Sequence, residues 1–167
     1  IKIGDEVMSY DFALDKTEKV KVLKIDSPIH DNLITIKFEN GTININTEDH
    51  PYYVIGKGWA SFNPELTLSN YNGFRVKKLE EEDLCFMLFN NEDLTKVKIV
   101  SIKTENMKVK TYNLTEVEKN KNFFANKILV QIKITKWKKN NSSIFGNTYI
   151  IEQLFSIKKQ NLNMVLK

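Results

Sequence analysis

Branched and aromatic apolar residues alternate with polar ones along much of the chain, the period-two signature of half-buried strands. Lys19-Val20-Lys21-Val22-Leu23-Lys24-Ile25 and Lys96-Val97-Lys98-Ile99-Val100-Ser101-Ile102 put lysines on a wet face and Val or Ile on a dry one. Segments of this kind, rich in Val, Ile, Thr, Phe and Tyr, predict strands over 6–10, 17–25, 32–39, 42–46, 52–55, 83–89, 94–103, 107–115 and 127–134. Many short strands with turn residues between them make an all-β domain of mostly antiparallel strands the expected fold.

Turn chemistry adds detail. Asn40-Gly41, between the runs 34–38 and 42–45, suits a type I′ hairpin, whose two central residues need positive φ. The second strand of that hairpin delivers Thr47 and His50 to its far end. Pro51 lacks a backbone donor and biases His50 towards an extended conformation, so the imidazole is expected at a strand break, a suitable place for a positioned acid or base. Residues 56–64 read as a glycine-hinged loop or short hairpin anchored by Trp59 and Phe62, and 113–126 as a polar loop before Ile128-Leu129-Val130 returns to the core. Asn140-Asn141-Ser142-Ser143 is a turn or linker signal, and 148–157 fits a strand or a short helix equally well.

With 167 residues and 41% hydrophobic content, the chain has material for one domain with a proper core, plus a tail. No run approaches the length needed to cross a bilayer, so no membrane role is expected, and no charged-then-apolar leader stands at the start. The single cysteine, Cys85, excludes an internal disulfide and a multi-cysteine zinc site; in Leu84-Cys85-Phe86-Met87-Leu88-Phe89 it reads as a small buried thiol. The net charge of +4 arises from 25 basic and 21 acidic residues. From Lys133 on, Lys133, Lys136, Lys138, Lys139, Lys158, Lys159 and Lys167 meet only Glu152, which makes the tail basic. No groove-reading motif accompanies that charge, so nucleic acid is not the expected partner.

Thr47-Glu48-Asp49-His50-Pro51 resembles the Thr-x-x-His block of Hint domains, the self-processing module of inteins, bacterial intein-like domains and hedgehog proteins. Three further stretches fit the family in the right order. Ile1 to Tyr10 resembles its "I-x-x-G-D-x-V-x-x-Y" segment, and Leu79-Glu80-Glu81-Glu82-Asp83 resembles a second "L-x-x-G-D" turn with Glu82 where glycine is usual. Val109 to Thr115, with Asn122-Phe123-Phe124-Ala125-Asn126-Lys127-Ile128-Leu129-Val130, resembles the closing block "V-Y-D-L-T-V … H-N-F-F-A-N-G-I-L-V-H-N". The resemblance implies a Hint-type horseshoe over residues 1–132, followed by a basic extension over 133–167.

It also implies a chemistry without cofactor or metal. In the family a Cys or Ser upstream of "I-x-x-G-D" attacks the peptide carbonyl before it. An amide nitrogen leaves poorly until protonated, so the step needs a proton donor beside it. By resemblance His50 supplies that proton and Thr47 the orienting hydrogen bonds, with the nucleophile expected ahead of Ile1. The closing block departs from the family: Asn113 stands where aspartate is usual, Lys121 where the loop histidine is usual, Gln131 where the penultimate histidine is usual and Ile132 where the terminal asparagine is usual. C-terminal cleavage needs that asparagine to cyclise, and Ile132 has no amide.

Two readings follow. The first, given a Cys or Ser ahead of Ile1 and inactive without one, is an autoprocessing domain that cleaves its own flanking polypeptide in cis without complete splicing. The second is an inactive Hint remnant serving as a structural or interaction domain beside companion domains. By resemblance the host is a secreted bacterial protein or a phage particle. A third reading, a carbohydrate-binding or adhesin module, needs Tyr52, Tyr53 and Trp59 exposed on one face. His30, in Ser27-Pro28-Ile29-His30-Asp31-Asn32, reads as a surface turn residue.

Overall fold

The computed structural model describes residues 1–90 and 92–134. They form fourteen strands and one helix: β1 (Glu6–Asp11), β2 (Lys16–Asp26), β3 (Ile29–His30), β4 (Leu33–Phe38), β5 (Ile43–Thr47), β6 (Tyr52–Val54), β7 (Gly58–Ser61), α1 (Pro64–Asn70), β8 (Lys77–Lys78), β9 (Leu84–Phe89), β10 (Asp93–Glu105), β11 (Val109–Lys110), β12 (Asn113–Val117), β13 (Asn122–Ala125) and β14 (Ile128–Gln131). Every strand pairing is antiparallel except β7 with β8.

Two long strands organise the rest. β2 pairs with β1 through residues 16–21 and with β12 beyond them. β10 likewise pairs with β9 through 93–98 and with β4 through 99–105, after a register shift between Ile99 and Ser101. β12 follows β10 in the chain and β4 precedes it, so each half of the molecule lends a strand to the other.

Hydrogen bonds repeat this symmetry residue by residue. The Gly4 N–H donates to Val22 C=O and the Val22 N–H to Asp5 C=O, both at 2.9 Å; Glu82, Ile99 and Asp83 make the same pair of bonds at the same distances. Asp5 Oδ2 accepts from the Lys2 N–H and Asp83 Oδ2 from the Glu80 N–H, each at 2.9 Å. Glu118 exchanges bonds with the backbone of Lys21, and Glu39 with that of Lys98. The duplication is carried by backbone geometry and a few carboxylates, Asp5 with Asp83 and Glu118 with Glu39.

The apolar faces of these strands close two cores. The larger takes Ile34, Ile36 and Phe38 from β4, Tyr52 and Val54 from β6, Cys85 from β9, Val97 and Ile99 from β10, and Ile128 and Val130 from β14. The smaller joins Val20, Val22, Leu114, Val117 and Ile132, and Phe123 packs against both. The lysines of β2 and β10 stand outside the cores, as the alternation requires. Asn122, 1% exposed, ties β13 to β1: its Oδ1 accepts from Ser9 Oγ and the Tyr10 N–H, and its Nδ2 donates to Tyr10 C=O.

Several local expectations are corrected. At Asn40-Gly41 only Gly41 has positive φ (85°), and its N–H donates to Phe38 C=O; the connection is a three-residue turn with glycine in the left-handed position, not type I′. The type I′ pattern occurs instead at Asn126-Lys127, with φ of 48° and 70° between the paired residues Ala125 and Ile128. The strand expected over 107–115 is split into β11 and β12: 109–110 pair with β3, the Thr111 N–H extends that pairing to Pro28 C=O, and from Asn113 the chain pairs with β2. Residues 113–126 hold two strands, not a loop. His30 lies in β3, half-buried, its Nδ1 without a partner among the described residues. Residues 56–64 are not a hairpin of their own: 58–61 form β7, which pairs back on β6, and Asn63 caps and Pro64 starts α1. The readings for 140–143 and 148–157 lie outside the described residues.

Glu82 (φ 73°) and Lys127 (φ 70°) occupy left-handed positions that favour glycine, at the two sites where the family pattern carries one. Lys127→Gly is expected to stabilise the protein by about 1 kcal/mol, relief of backbone strain outweighing the added freedom of the unfolded chain. Lys127→Val is expected to destabilise it. Urea midpoints of the two variants moving in the same direction would contradict this account.

Candidate active site around His50

His50 sits in the connection between β5 and β6, and neighbouring elements hold each residue of that connection. The His50 N–H donates to Thr47 C=O at 3.1 Å, closing a tight turn at the end of β5. Glu48 gives its N–H to Asn32 C=O at 3.1 Å and accepts the Asn63 N–H at its own C=O at 2.8 Å. Asp49, 2% exposed, accepts Thr67 Oγ1 at its backbone oxygen and Asn70 Nδ2 at its carboxylate, both at 2.8 Å. The His50 Nδ1 lies 3.1 Å from Tyr71 Oη, and the Gln131 N–H reaches Pro51 C=O at 3.0 Å.

Four of these partners, Asn63, Thr67, Asn70 and Tyr71, come from α1 and the two residues that cap it, an element the hydrophobic pattern does not predict. Its signal was present: Asn63 caps it by accepting the Leu66 N–H at 3.1 Å, Pro64 starts it and Glu65 stands in the first turn. Thr67, buried and 2.6 Å from Ser61 Oγ, fixes the helix to β7. The Tyr71 N–H caps the other end on Thr67 C=O at 2.8 Å. Asp49, Thr67, Asn70 and Tyr71 are therefore site residues that no motif announced.

A second set of polar groups braces β5 against β6. Tyr52 Oη donates to Asn46 Oδ1 at 2.6 Å and accepts from Asn44 Nδ2 at 3.3 Å, and Asn126 Nδ2 donates to Asn44 Oδ1 at 2.9 Å. The edge of the His50 ring meets Tyr52, with centroids 6.0 Å apart. Thr47, 6% exposed, ends β5 opposite Leu33; its hydroxyl makes no hydrogen bond among the described residues.

The closing-block positions arrive beside this connection through three successive backbone bonds: the N–H groups of Gln131, Ile132 and Lys133 donate to Pro51, Lys121 and Leu114 C=O. Gln131 and Ile132 are each 5% exposed, and Ile132 fills the smaller core. Lys121, at φ 54°, is part of a left-handed pair with Asn120. Asn113 is buried opposite Asp26, and its Nδ2 has no partner among the described residues. Lys133 carries its ammonium 5.8 Å from the centre of the Tyr71 ring.

Burial pushes the His50 pKa from 6.5 down to about 4; the Asp49 charge opposes that shift and the Lys133 charge adds to it. The imidazole is thus neutral at pH 7. Burial also raises the Cys85 thiol to about 12, so Cys85 is an inert core residue. Among the described residues no group of His, Cys, Asp and Glu is arranged to hold a metal ion, and no helix is long and apolar enough to cross a membrane. Tyr52 is 1% exposed and faces away from Tyr53 and Trp59, which pack together with ring centroids 5.3 Å apart. The single exposed aromatic face needed by the carbohydrate-binding reading does not exist.

Residues 2–90 match the family model of the Ataxin-1 and HBP1 module (AXH). No curated protein matches the chain. Among solved structures it is similar to the Ssp DnaB mini-intein variant M86, at 21% identity and a TM-score of 0.61, covering 83% of this chain and 81% of that one. A DnaB intein from Synechocystis sp. PCC 6803 gives 21%, 0.60, 80% and 82%, and the PabCDC21-1 intein 22%, 0.59, 76% and 69%. These likenesses establish a Hint or intein-like all-β fold, as the sequence blocks implied.

The depressed His50 pKa links folding to pH. Between about 4 and 6.5 the unfolded chain binds a proton that the folded one refuses, so this contribution is complete above 6.5 and is lost as pH falls through 4. It amounts to at most about 3 kcal/mol, less to the extent that water reaches the ring. His50→Gln is expected to lose less stability than wild type between pH 7 and pH 4.5, measured by urea denaturation. Equal losses would show that His50 is not the group responsible.

Proposed function

We propose that the chain, which belongs to the Ataxin-1 and HBP1 module (AXH) family through residues 2–90, is an autoprocessing domain acting on its own polypeptide in cis, a reading supported by its intein-like fold. The matched residues include the whole connection from Thr47 to Pro51 and the helix that grips it. The observation that carries the proposal is His50, held at its N–H by Thr47 C=O and at Nδ1 by Tyr71 just after α1, with the next residue, Pro51, tied to β14.

The reaction is an acyl shift. A Cys or Ser side chain ahead of Ile1 adds to the carbonyl before it, the carbon–nitrogen bond breaks, and the freed amine takes up a proton; water or another nucleophile then releases the upstream part. Neutral His50 offers its N–H as a hydrogen bond to the departing nitrogen, which takes up the proton that the Cys or Ser side chain loses. Thr47, with an uncommitted hydroxyl at the end of β5, orients the peptide. Splicing is not part of the activity, because Ile132 cannot cyclise and its side chain is committed to the smaller core.

The same closing positions favour a second reading, an inactive Hint remnant kept as a structural or interaction domain. Ile132 is packed as a core residue, and Asn113, Lys121 and Gln131 lack the groups the family's second cleavage uses.

Expression of the complete gene product, followed by intact-mass spectrometry, separates the two. Wild type is expected to be cut once, before a Cys or Ser that precedes Ile1, with no ligated product; His50→Ala is expected to slow the cut by about 100-fold or more. An uncut wild type would favour the remnant, and identical fragments in both samples would remove His50 from the mechanism.

A further inference from the structure

We propose that Tyr71 is a positioning residue for His50: its hydroxyl donates to Nδ1, fixes the imidazole as the Nε2–H tautomer, and so makes the ring a hydrogen-bond donor rather than a base. The consequence for cleavage rests on the function proposed above. The tautomer itself does not.

The inference follows from counting protons. Tyr71 is 1% exposed, and the only hydrogen-bond partner of its hydroxyl among the described residues is His50 Nδ1, at 3.1 Å. Neutral imidazole carries one N–H and phenol one O–H, so one proton lies between the two atoms. If Nδ1 supplied it, the buried Tyr71 O–H would have to turn to another acceptor, and it makes no other hydrogen bond among the described residues: the nearby unpartnered carboxylate oxygen, Asp49 Oδ1, receives none. If Tyr71 supplies it, both groups are satisfied and the His50 proton sits on Nε2, which has no partner among the described residues.

Electrostatics around the ring keep it in the neutral state this requires. Asp49 on the same connection favours the imidazolium, Lys133 beyond β14 disfavours it, and Tyr52 on β6 has its hydroxyl bound to Asn44 and Asn46. Burial tips the balance against the charge. Burial, reinforced by Asp49, also holds Tyr71 protonated, well above the usual phenol range.

The grip is built in triplicate. Thr67 and Asn70 hold Asp49 while Tyr71 holds His50, so the last turn of α1 and the cap after it bind two consecutive residues of the connection. With the Nδ1 lone pair occupied, His50 cannot collect a proton from a nucleophile through that nitrogen. It presents Nε2–H, the group an amide nitrogen needs beside it as it departs.

Nitrogen-15 NMR of histidine-labelled protein tests this directly, since His30 and His50 are the only two histidines and His30 serves as the reference. Wild type is expected to show Nδ1 of His50 unprotonated and Nε2 protonated. In Tyr71→Phe the Nδ1–H form should become populated and the His50 pKa should rise by about one unit, with His30 unmoved. An unchanged tautomer and titration would overturn the proposal. Should Tyr71→Phe fail to fold, fluorotyrosine incorporation replaces it: a more acidic phenol donates more strongly and should lower the His50 pKa further, and no shift would again overturn the proposal. In the complete gene product Tyr71→Phe should slow cleavage by about tenfold. A tautomer shift in a wild type that never cleaves would leave the positioning role intact and sink the autoprocessing function alone.

Discussion

Neither half of this molecule can finish a sheet by itself. β2 needs β12 and β10 needs β4, and each of those strands is supplied from the other side of the chain. Edges left open in either half would expose unpaired backbone along strands whose inner faces are already apolar. Exchange resolves this by making the halves mutually dependent. It also explains the paired turns at Gly4-Asp5 and Glu82-Asp83, which place equivalent hydrogen bonds on the two long strands where each passes from its hairpin partner to its borrowed one.

The candidate site inherits its rigidity from that arrangement. β14 lies beside β6 because both belong to the large sheet, and its continuation bonds in turn to Pro51, Lys121 and Leu114. The chain just after His50 is thereby tied to β12, the borrowed strand. From the opposite side α1 grips Glu48, Asp49 and His50 through Asn63, Thr67, Asn70 and Tyr71. A histidine on a connection between strands would ordinarily sample several rotamers; here its ring has a fixed partner, its N–H another, and the residues on either side of it are tied down as well.

Much of this was legible in the residues. Alternation located the long strands, and the lysines of β2 and β10 stand outside the cores as it required. Thr47, His50 and Pro51 marked the end of β5 and the start of β6. Tertiary choices were not legible. Asn40-Gly41 has the composition of a type I′ turn, yet three residues bridge the strands, because Gly41 alone takes positive φ. Asn126-Lys127 adopts the type I′ geometry without the glycine that would have signalled it. Residues 113–126 looked like a polar loop because Asn113, Thr115 and Asn122 are polar, but they are buried, and Asn122 spends its amide on β1. The helix that holds the site was passed over for a different reason: seven residues are too few to show a hydrophobic period, so only its cap and its proline could have revealed it.

The borrowed strands also set a clock. A ribosome releases β2 long before β12, so the first sheet waits incomplete while the middle of the chain is made, and its closure depends on contacts between residues far apart in sequence. The bracing of Pro51 by Gln131 arrives later still. The surroundings of His50 are therefore complete only once synthesis has passed β14.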